Sequence, residues 1–475
     1  MKLVKSLLLG SAAGLAATTS GQAADLPFRK AAPVEYVRVC DWTGAGYFYI
    51  PGTDTCLQIG GFARAEYEFN SGGKAFIPGT PGATNASNAK TNGTLISGRN
   101  RDESGFFARG RLQADARTQT AYGTLRTFVR FELTRTGGAE TFGGNPAGSG
   151  SGASLDKAFV QFAGISAGRV QSFFDFGADP YGFEGVATSD ASTQALAYTQ
   201  TFGGGFSASL SIEDPTVRQQ GIQNTRLTAG SATTGVAYSG SRIPDVIGQL
   251  HVEQTWGMAQ LSAAYHQINV SSAAPAAPTV FQNGKDDDGF AVSGGVEFNL
   301  PMFAAGDVIH LEGGYQNGAQ SYTDSNGISG GYNQNPTVGG LFHPNRDAIA
   351  VANVAGTGFT LAKSEGYSVS GGLVHFFTPT FQNIVFGSYQ DVDYGSRAKS
   401  ISWLNGGLGS ATSYRIADQV NWFPVKGLQI GMEVMYIKVD QKVPGLTTTG
   451  AAALPAGIKV NPETFETRLR VERDF

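Results

Sequence analysis

Charged residues in two parts of the sequence could act together on small charged or dipolar solutes. Seven arginines stand at alternate positions among apolar residues: Arg64, Arg109, Arg111, Arg126, Arg130, Arg468 and Arg470. The stretch from Asp175 to Ser192 carries four carboxylates and no lysine or arginine: Asp175, Asp179, Glu184 and Asp190. Rows of opposite charge that face each other across water create a transverse electric field, which orients solutes without any covalent step. The alternative is that the carboxylates are solvated loop charges and that the arginines only pair with Glu66, Asp115 or Glu132 across strands.

Three other patterns could carry chemistry, and each has a simpler interpretation. Gly164 to Gly168 matches the GxSxG pattern around Ser166, but a nucleophile elbow needs a strand, a turn and then a helix, whereas β-like segments flank this one. Lys285 to Gly289 (KDDDG) resembles part of a calcium loop but lacks its closing glutamate. The five histidines show no metal-ligand spacing. We therefore predict no enzyme, no metal and no cofactor.

The first residues predict export. Lys2 and Lys5 precede a short apolar run and small residues at Gly21 to Ala23, which is the pattern of a signal peptide over residues 1–23. The net charge of −4 becomes about −6 once these two lysines are removed. This mild acidity argues against nucleic acid as a partner. Residues 24–475 are then expected to form one domain.

The two cysteines, Cys40 and Cys56, are expected to form a disulfide because exported proteins fold in an oxidising compartment. The alternative is a pair of free, buried thiols.

The elements that would position the charged residues have a two-residue period. In the segment from Leu57 to Phe69, apolar side chains alternate with Gln58, Arg64, Glu66 and Glu68. Sixteen such segments are predicted: 56–70, 105–119, 123–136, 153–163, 165–173, 194–202, 206–214, 245–256, 258–270, 289–300, 307–318, 364–377, 382–394, 412–423, 428–441 and 463–475. Strands of this kind have one face for lipid and one for water. Fourteen or eighteen strands stay compatible with the pattern, because segment boundaries are set only to within several residues.

The connections alternate in length. Short turns such as Tyr122-Gly123 and Ala163-Gly164 alternate with long polar stretches such as Ser271 to Asp288 and Ala319 to Lys363. Short turns on one side and long loops on the other are typical of an outer-membrane barrel. With low charge (15%), many aromatic residues (11%) and a mean hydropathy of −0.13, the sequence predicts an all-β fold: a transmembrane, antiparallel, up-and-down β-barrel of about 16 strands. Its short turns would be periplasmic and its long loops extracellular.

The segment after the signal peptide and the last residue point to a family. The last strand ends on Phe475, an aromatic terminus similar to the recognition signal of bacterial outer-membrane proteins. Residues 24–69, which include VRVCDWTGAGYFYIPGTDTCLQIGG, resemble the start of alphaproteobacterial general-diffusion porins. This resemblance implies a sixteen-stranded homotrimer in the Gram-negative outer membrane, in contact with lipid and lipopolysaccharide. It also implies passive diffusion of small hydrophilic solutes and ions, with the third long loop, Asp175 to Ser192, folded into the lumen opposite the basic wall.

Other functions stay open at the level of sequence. The same barrel could be a substrate-selective channel for a sugar or an anion, and saturation by one solute would distinguish it from an unselective channel. An outer-membrane hydrolase would depend on Ser166 as its nucleophile. A secreted adhesin would not need a last strand that closes a barrel.

Overall fold

Sixteen strands form the wall of the barrel in the part of the chain that the computed structural model describes. The described residues are 38–70, 75–78, 93–96, 103–138, 149–177, 181–225, 236–274, 277–325, 346–352, 359–401, 408–442, 444 and 463–475. The predicted signal peptide, residues 1–23, lies outside them. The wall strands are β1 (Thr55–Asn70), β2 (Ser104–Thr120), β3 (Gly123–Gly138), β4 (Ser149–Phe162), β5 (Ile165–Gln171), β6 (Ser192–Gly203), β7 (Phe206–Glu213), β8 (Asp245–Gln254), β9 (Gly257–Ala274), β10 (Ala277–Asn299), β11 (Val308–Asn317), β12 (Glu365–Thr378), β13 (Phe381–Asp393), β14 (Ala411–Trp422), β15 (Leu428–Gln441) and β16 (Glu463–Asp474).

Each wall strand pairs antiparallel with the next one along the chain, as shown by the registers from β1–β2 to β15–β16. β16 also pairs antiparallel with β1, where Arg470 lies opposite Glu66. This last pairing closes the sheet, so that neither terminal strand leaves an unpaired edge toward lipid. The sixteen-stranded antiparallel barrel predicted from the sequence is therefore confirmed.

The two faces of the strands differ in polarity as the two-residue period predicts. On β1, Glu66 and Glu68 face inward and are 4% and 0% exposed, whereas Ile59 on the outer face is 54% exposed. Large apolar side chains are exposed all around the outside, including Phe106, Leu250 and Ile416. This is the reverse of a soluble protein, and it fits a wall whose outer face meets hydrocarbon. No helix in the described part of the chain is long and apolar enough to cross a bilayer.

Short turns join alternate strand pairs. Gly203, the last residue of β6, and the following Gly204 and Gly205 have φ values of 83°, 58° and 78°, which glycine adopts without steric cost. A Cβ atom at Gly205 would also lie 1.9 Å from the Glu253 carbonyl oxygen. Ala163 and Gly164 join β4 to β5 with φ values of 51° and 84°.

The opposite ends of the strands carry more structure than the sequence predicts. The interpretation of Ser271 to Asp288 as an irregular connection is wrong, because β9 continues to Ala274 and β10 begins at Ala277. The long stretch after Asn317 contains a 3₁₀ turn (Gln320–Tyr322) and two strands, Ala348–Ala352 and Phe359–Lys363, which form a small sheet with Ile222–Asn224. A second 3₁₀ turn covers Pro215–Arg218, and a short helix, α1 (Gly395–Lys399), follows β13. The two-residue pattern is weak in these segments because they are not pinned between lipid and water.

The N-terminal segment is fastened to the barrel. A disulfide joins Cys40 to Cys56, the second residue of β1, which confirms the predicted bond. Phe48–Tyr49 pairs with Cys56 and Leu57, and Tyr47 packs against the two cysteines. At the other end of the chain, the Phe475 amide donates to the Gly61 carbonyl at 3.0 Å, which extends the closing pair by one residue.

Candidate channel lumen

The segment that links β5 to β6 contacts side chains of several wall strands. We call its described residues, 172–177 and 181–191, the lumen segment. Its first part contacts the inner face of β9 to β11: Gln260 Nε2 donates to the Asp175 carbonyl at 3.0 Å, and the Phe176 ring stacks on His310 at 4.8 Å. These contacts hold the chain against a wall several strands away from its origin.

The second part of the lumen segment contacts the wall formed by β13 to β16. The amides of Phe183 and Glu184 donate to the carboxylate of Glu433 at 2.6 and 3.0 Å. Arg415 donates to the Gly185 carbonyl at 3.3 Å, and the Ala187 amide donates to Ser388 Oγ at 3.0 Å. Because these backbone polar groups find partners on the wall, the segment can lie against the wall without regular secondary structure.

Two wall glycines make room for aromatic side chains of the lumen segment. A Cβ atom at Gly295 would lie 2.1 Å from Phe176, and one at Gly431 would lie 2.6 Å from Phe183. Any larger residue at either position would displace the ring. In the sequence these glycines look like ordinary strand residues, so their role depends on the tertiary structure.

Glu184 lies in a buried cluster of charges on the wall. Its carboxylate accepts a hydrogen bond from Arg468, which also donates to Glu66 at 2.8 Å and to Glu68 at 2.9 Å. Arg470 donates to Glu66 at 2.6 Å and lies over the Phe183 ring at 3.8 Å. The lumen segment is thus bound to the first and last strands by paired charges, which are costly to separate at such depth.

Asp175 closes the base of the lumen segment. Its carboxylate accepts from Arg218 at 2.8 Å, from Ser189 Oγ at 2.6 Å and from the Ala191 amide at 2.8 Å. Arg218 comes from the 3₁₀ turn after β7 and is 1% exposed. It lies over the Tyr322 ring at 4.4 Å, so it ties the lumen segment to the connections above the barrel.

The other two predicted carboxylates, Asp179 and Asp190, differ from Asp175 and Glu184. Asp179 lies outside the described residues. Asp190 is half-buried, and its carboxylate accepts from Gln171 Nε2 at 2.9 Å. Burial, together with repulsion from Asp175, raises the pKa of Asp190. Asp175 and Glu184 are therefore placed in buried ion pairs rather than as free charges across open water, and Asp190 is the accessible carboxylate among those described.

The predicted wall arginines face inward and pair with carboxylates of neighbouring strands. Arg109 and Arg111 both pair with Glu132, at 3.4 Å and 2.5 Å, and Arg64 pairs with Glu66 at 3.7 Å and also with Glu472. Arg126 pairs with Asp115 at 2.9 Å. Arg130 donates to Gln113 at 3.0 Å and pairs with Asp156 at 3.3 Å. The arginines therefore do pair with Glu66, Asp115 and Glu132, as the alternative interpretation of the sequence proposed.

Pairing leaves Arg109, Arg111 and Arg126 more exposed than their carboxylate partners, whereas Arg468 and Arg470 are buried. Glu132 is 9% exposed in its side chain, whereas its partners Arg109 and Arg111 are 18% and 24% exposed. Asp115 is 7% exposed, whereas its partner Arg126 is 31% exposed. On β2 and β3, Glu132 and Asp115 are therefore less exposed than the arginines that pair with them.

Sequence reasoning missed several charged residues of this lumen. Arg117 pairs with Asp115 at 2.9 Å, and Lys157 donates to Gln171 and Ser192, each at 2.6 Å. Arg117 continues the two-residue pattern of Arg109 and Arg111 and could have been included. Lys157 could not, because a bulge opposite Arg130 shifts the alternation of β4 by one residue. Arg218 and Arg415 lie in buried pairs with Asp175 and Asp324 that only the fold brings together.

The weaker motifs occupy structural positions. Ser166 lies on β5 after the Ala163-Gly164 turn and accepts from Gln161 at 3.2 Å, and a strand rather than a helix contains it. Asp286 and Asp287 pair with Arg242 and Lys363 at 2.7 and 3.2 Å. Asp288 accepts from the Tyr265 hydroxyl at 2.6 Å. Each of these three aspartates therefore has a partner within the protein.

Comparison with known proteins agrees with this geometry. A family model described as a porin subfamily matches residues 25–459. The chain belongs to this porin family. Porin Omp2b of Brucella suis is 35% identical over 273 residues, which is 56% of this chain and 66% of the relative. Porin Omp2b of Brucella abortus matches to the same extent, so the alignment spans just under two thirds of these relatives.

The fold also matches a solved structure. The outer membrane channel DcaP of Acinetobacter baumannii superposes with a TM-score of 0.54 at 14% identity, covering 90% of this chain and 99% of that one. At this identity the match concerns the fold alone. Family and fold together place this porin in the outer membrane of a Gram-negative bacterium.

Proposed function

We propose that this porin is a passive diffusion channel for small hydrophilic solutes and ions, narrowed by the lumen segment and favouring anions. The observation that carries the proposal is the asymmetry of the lumen. The lumen segment is bound to the wall of β9 to β16, and on β2 and β3 four arginines are more exposed than the carboxylates with which they pair: Arg109, Arg111, Arg117 and Arg126. A positive wall in a narrow aqueous passage raises the local concentration of anions.

The test is a measurement of ion selectivity in planar bilayers. With a KCl gradient, the reversal potential should have the sign of anion preference, and Arg111→Gln and Arg126→Gln should each move it toward zero because each removes an exposed lumen charge. Arg169→Gln is the matched control, because Arg169 lies on the outer face of β5, where it donates to the Leu155 carbonyl at 2.9 Å. Cation preference in the native channel, or an equal shift in the control, would refute the anion preference.

A substrate-selective channel is the second candidate, and the stacked Phe128 and Phe159 rings in the lumen favour it. Liposome swelling with neutral sugars of graded size distinguishes the two. A smooth decline of rate with size supports general diffusion, whereas saturation by one solute supports selectivity.

A homotrimer in outer-membrane lipid and lipopolysaccharide is part of the proposal. The outer faces of β1 and β2 carry seven small residues among larger apolar ones such as Ile59 and Leu112: Gly61, Ala63, Ala65, Ala108, Gly110, Ala114 and Ala116. Flat surfaces of small residues allow close packing between chains within a membrane. Cross-linking in native membranes should give trimers, and Ala65→Trp with Ala114→Trp should reduce them.

A further inference from the structure

A cavity of about 510 Å³ lies inside the barrel against β2 to β5. We call it the vestibule pocket. Its lining includes Arg117 and Arg126, which lie opposite each other close to the short turn between β2 and β3. Tyr47 also lines it, brought there by the segment that the Cys40–Cys56 disulfide closes. The pocket has the volume of a small-molecule site.

Aromatic rings and guanidinium groups alternate on the pocket wall. Phe128 and Phe159 stack with their ring centroids 5.3 Å apart and their planes inclined by 24°. Arg126 lies over both rings, at 5.4 and 5.3 Å, and Arg130 lies over Phe128 at 5.2 Å. Arg117 lies over the Tyr47 ring at 4.9 Å. Each ring fixes a guanidinium group in place. Arg126 already donates to Asp115 through Nε and Nη2 and to Gln161 through Nη1, so it offers an anion the second hydrogen on each terminal nitrogen.

The charges around the pocket favour an anion. Four cations contribute to it, namely Arg117, Arg126, Arg130 and Lys157. Asp115 lies beneath two of them and is 7% exposed, against 29% for Arg117 and 31% for Arg126. Asp156 beside Arg130 is 24% exposed, and Asp190 lies beyond Gln171. Arg117 and Arg126 are therefore more accessible to a solute than Asp115, and Arg130 is as exposed as Asp156.

From this arrangement we infer that the vestibule pocket is a binding subsite for aromatic carboxylates on their way through the channel. The carboxylate accepts hydrogen bonds from Arg126 and Arg130, and the ring packs against Phe128 and Phe159. Charge-assisted hydrogen bonds and ring contacts act on the same solute, so such a solute binds more tightly than an anion without a ring or a ring without a charge. The inference rests on the proposed channel function and adds a solute class to it.

The experiment uses the full-length porin in planar bilayers and measures block of the chloride current. The probes are 4-hydroxybenzoate, acetate as the anion without a ring, and benzyl alcohol as the ring without a charge. We expect 4-hydroxybenzoate to half-block the current at a concentration about tenfold lower than acetate, the factor that a ring contact supplies. Benzyl alcohol should not block over the same range.

Variants separate the two contributions. Phe159→Leu keeps an apolar side chain but removes the ring. In this variant the half-blocking concentration of 4-hydroxybenzoate should rise to nearly that of acetate. Arg126→Gln should weaken block by 4-hydroxybenzoate about tenfold, because a charge-assisted hydrogen bond is lost. Arg109→Gln is the matched control because it removes a lumen arginine outside the pocket. It should leave the ratio of the half-blocking concentrations of 4-hydroxybenzoate and acetate unchanged. If Phe159→Leu fails to insert, Phe128→Leu tests the other ring of the stacked pair.

The outcomes keep the two proposals apart. Channels that conduct chloride but bind 4-hydroxybenzoate no more tightly than acetate would overturn the subsite and leave the diffusion channel standing. If Arg109→Gln reduced the preference for 4-hydroxybenzoate over acetate as much as the pocket variants do, the subsite would also be overturned. The preference would then come from the overall charge of the lumen. Failure of the native protein to open any channel would overturn the proposed function itself.

Discussion

Replacing Arg218 by methionine should release the base of the lumen segment. Arg218 and Asp175 are each 1% exposed in their side chains, and removing one partner of a buried ion pair costs about 3–5 kcal/mol. The lower end applies here, because Asp175 keeps hydrogen bonds from Ser189, Ala191 and Gln171. A loss of about 3 kcal/mol corresponds to a roughly 100-fold larger population of the detached segment.

Hydrogen exchange measures this population directly. The Ala191 amide donates to the Asp175 carboxylate at 2.8 Å, so its exchange should accelerate about 100-fold in the Arg218→Met variant, while amides in the middle of β14 keep their rates. Single-channel records should show more frequent transitions between conductance levels.

The matched control is Arg242→Met. Arg242 pairs with Asp286 at 2.7 Å, but its side chain is 66% exposed, so the loss should stay within about 1 kcal/mol. Adding Asp175→Asn to Arg218→Met should restore part of the protection, because the uncompensated buried carboxylate is then removed. Unchanged exchange at Ala191 in Arg218→Met would refute the claim that this pair holds the lumen segment.

Three further predictions concern charge, the disulfide and the terminus. Because the pKa of Asp190 is raised, its charge is costly at neutral pH, and this cost disappears as the pH falls through the raised pKa. Anion preference should therefore increase on acidification at a pH above the ordinary aspartate value of 3.8, and a reversal-potential titration of Asp190→Asn should lack this step. Cys40→Ser should cost about 3 kcal/mol through the loss of loop closure between Cys40 and Cys56. A denaturant midpoint equal to that of the native protein would contradict this. Deleting Phe475 removes its two backbone hydrogen bonds with Gly61, at 3.0 and 3.2 Å, and should lower the yield of folded barrel measured by heat-modifiable gel mobility. A yield equal to that of the native chain would show that these bonds are dispensable.

The wall of the barrel follows from local sequence. A strand between lipid and water must alternate apolar and polar side chains, so the sequence itself records its faces and its approximate position along the chain. The segments predicted at 428–441 and 206–214 correspond to Leu428–Gln441 and Phe206–Glu213. The disulfide was predictable for a different reason: the exported chain has only two cysteines, so only one pairing is possible.

The interior depended on tertiary structure. The residue types of the acidic stretch are visible in the sequence, but its partners are not: Arg218 and Arg468 lie far away along the chain and reach Asp175 and Glu184 only once the barrel has closed. The same holds for Gly295 and Gly431, whose missing side chains matter only because two rings of the lumen segment lie against them. Alternation reports which side of the wall a residue faces, since lipid and water act on every strand separately. It does not report what stands opposite that residue across the lumen, because this depends on how all the strands are arranged around one axis.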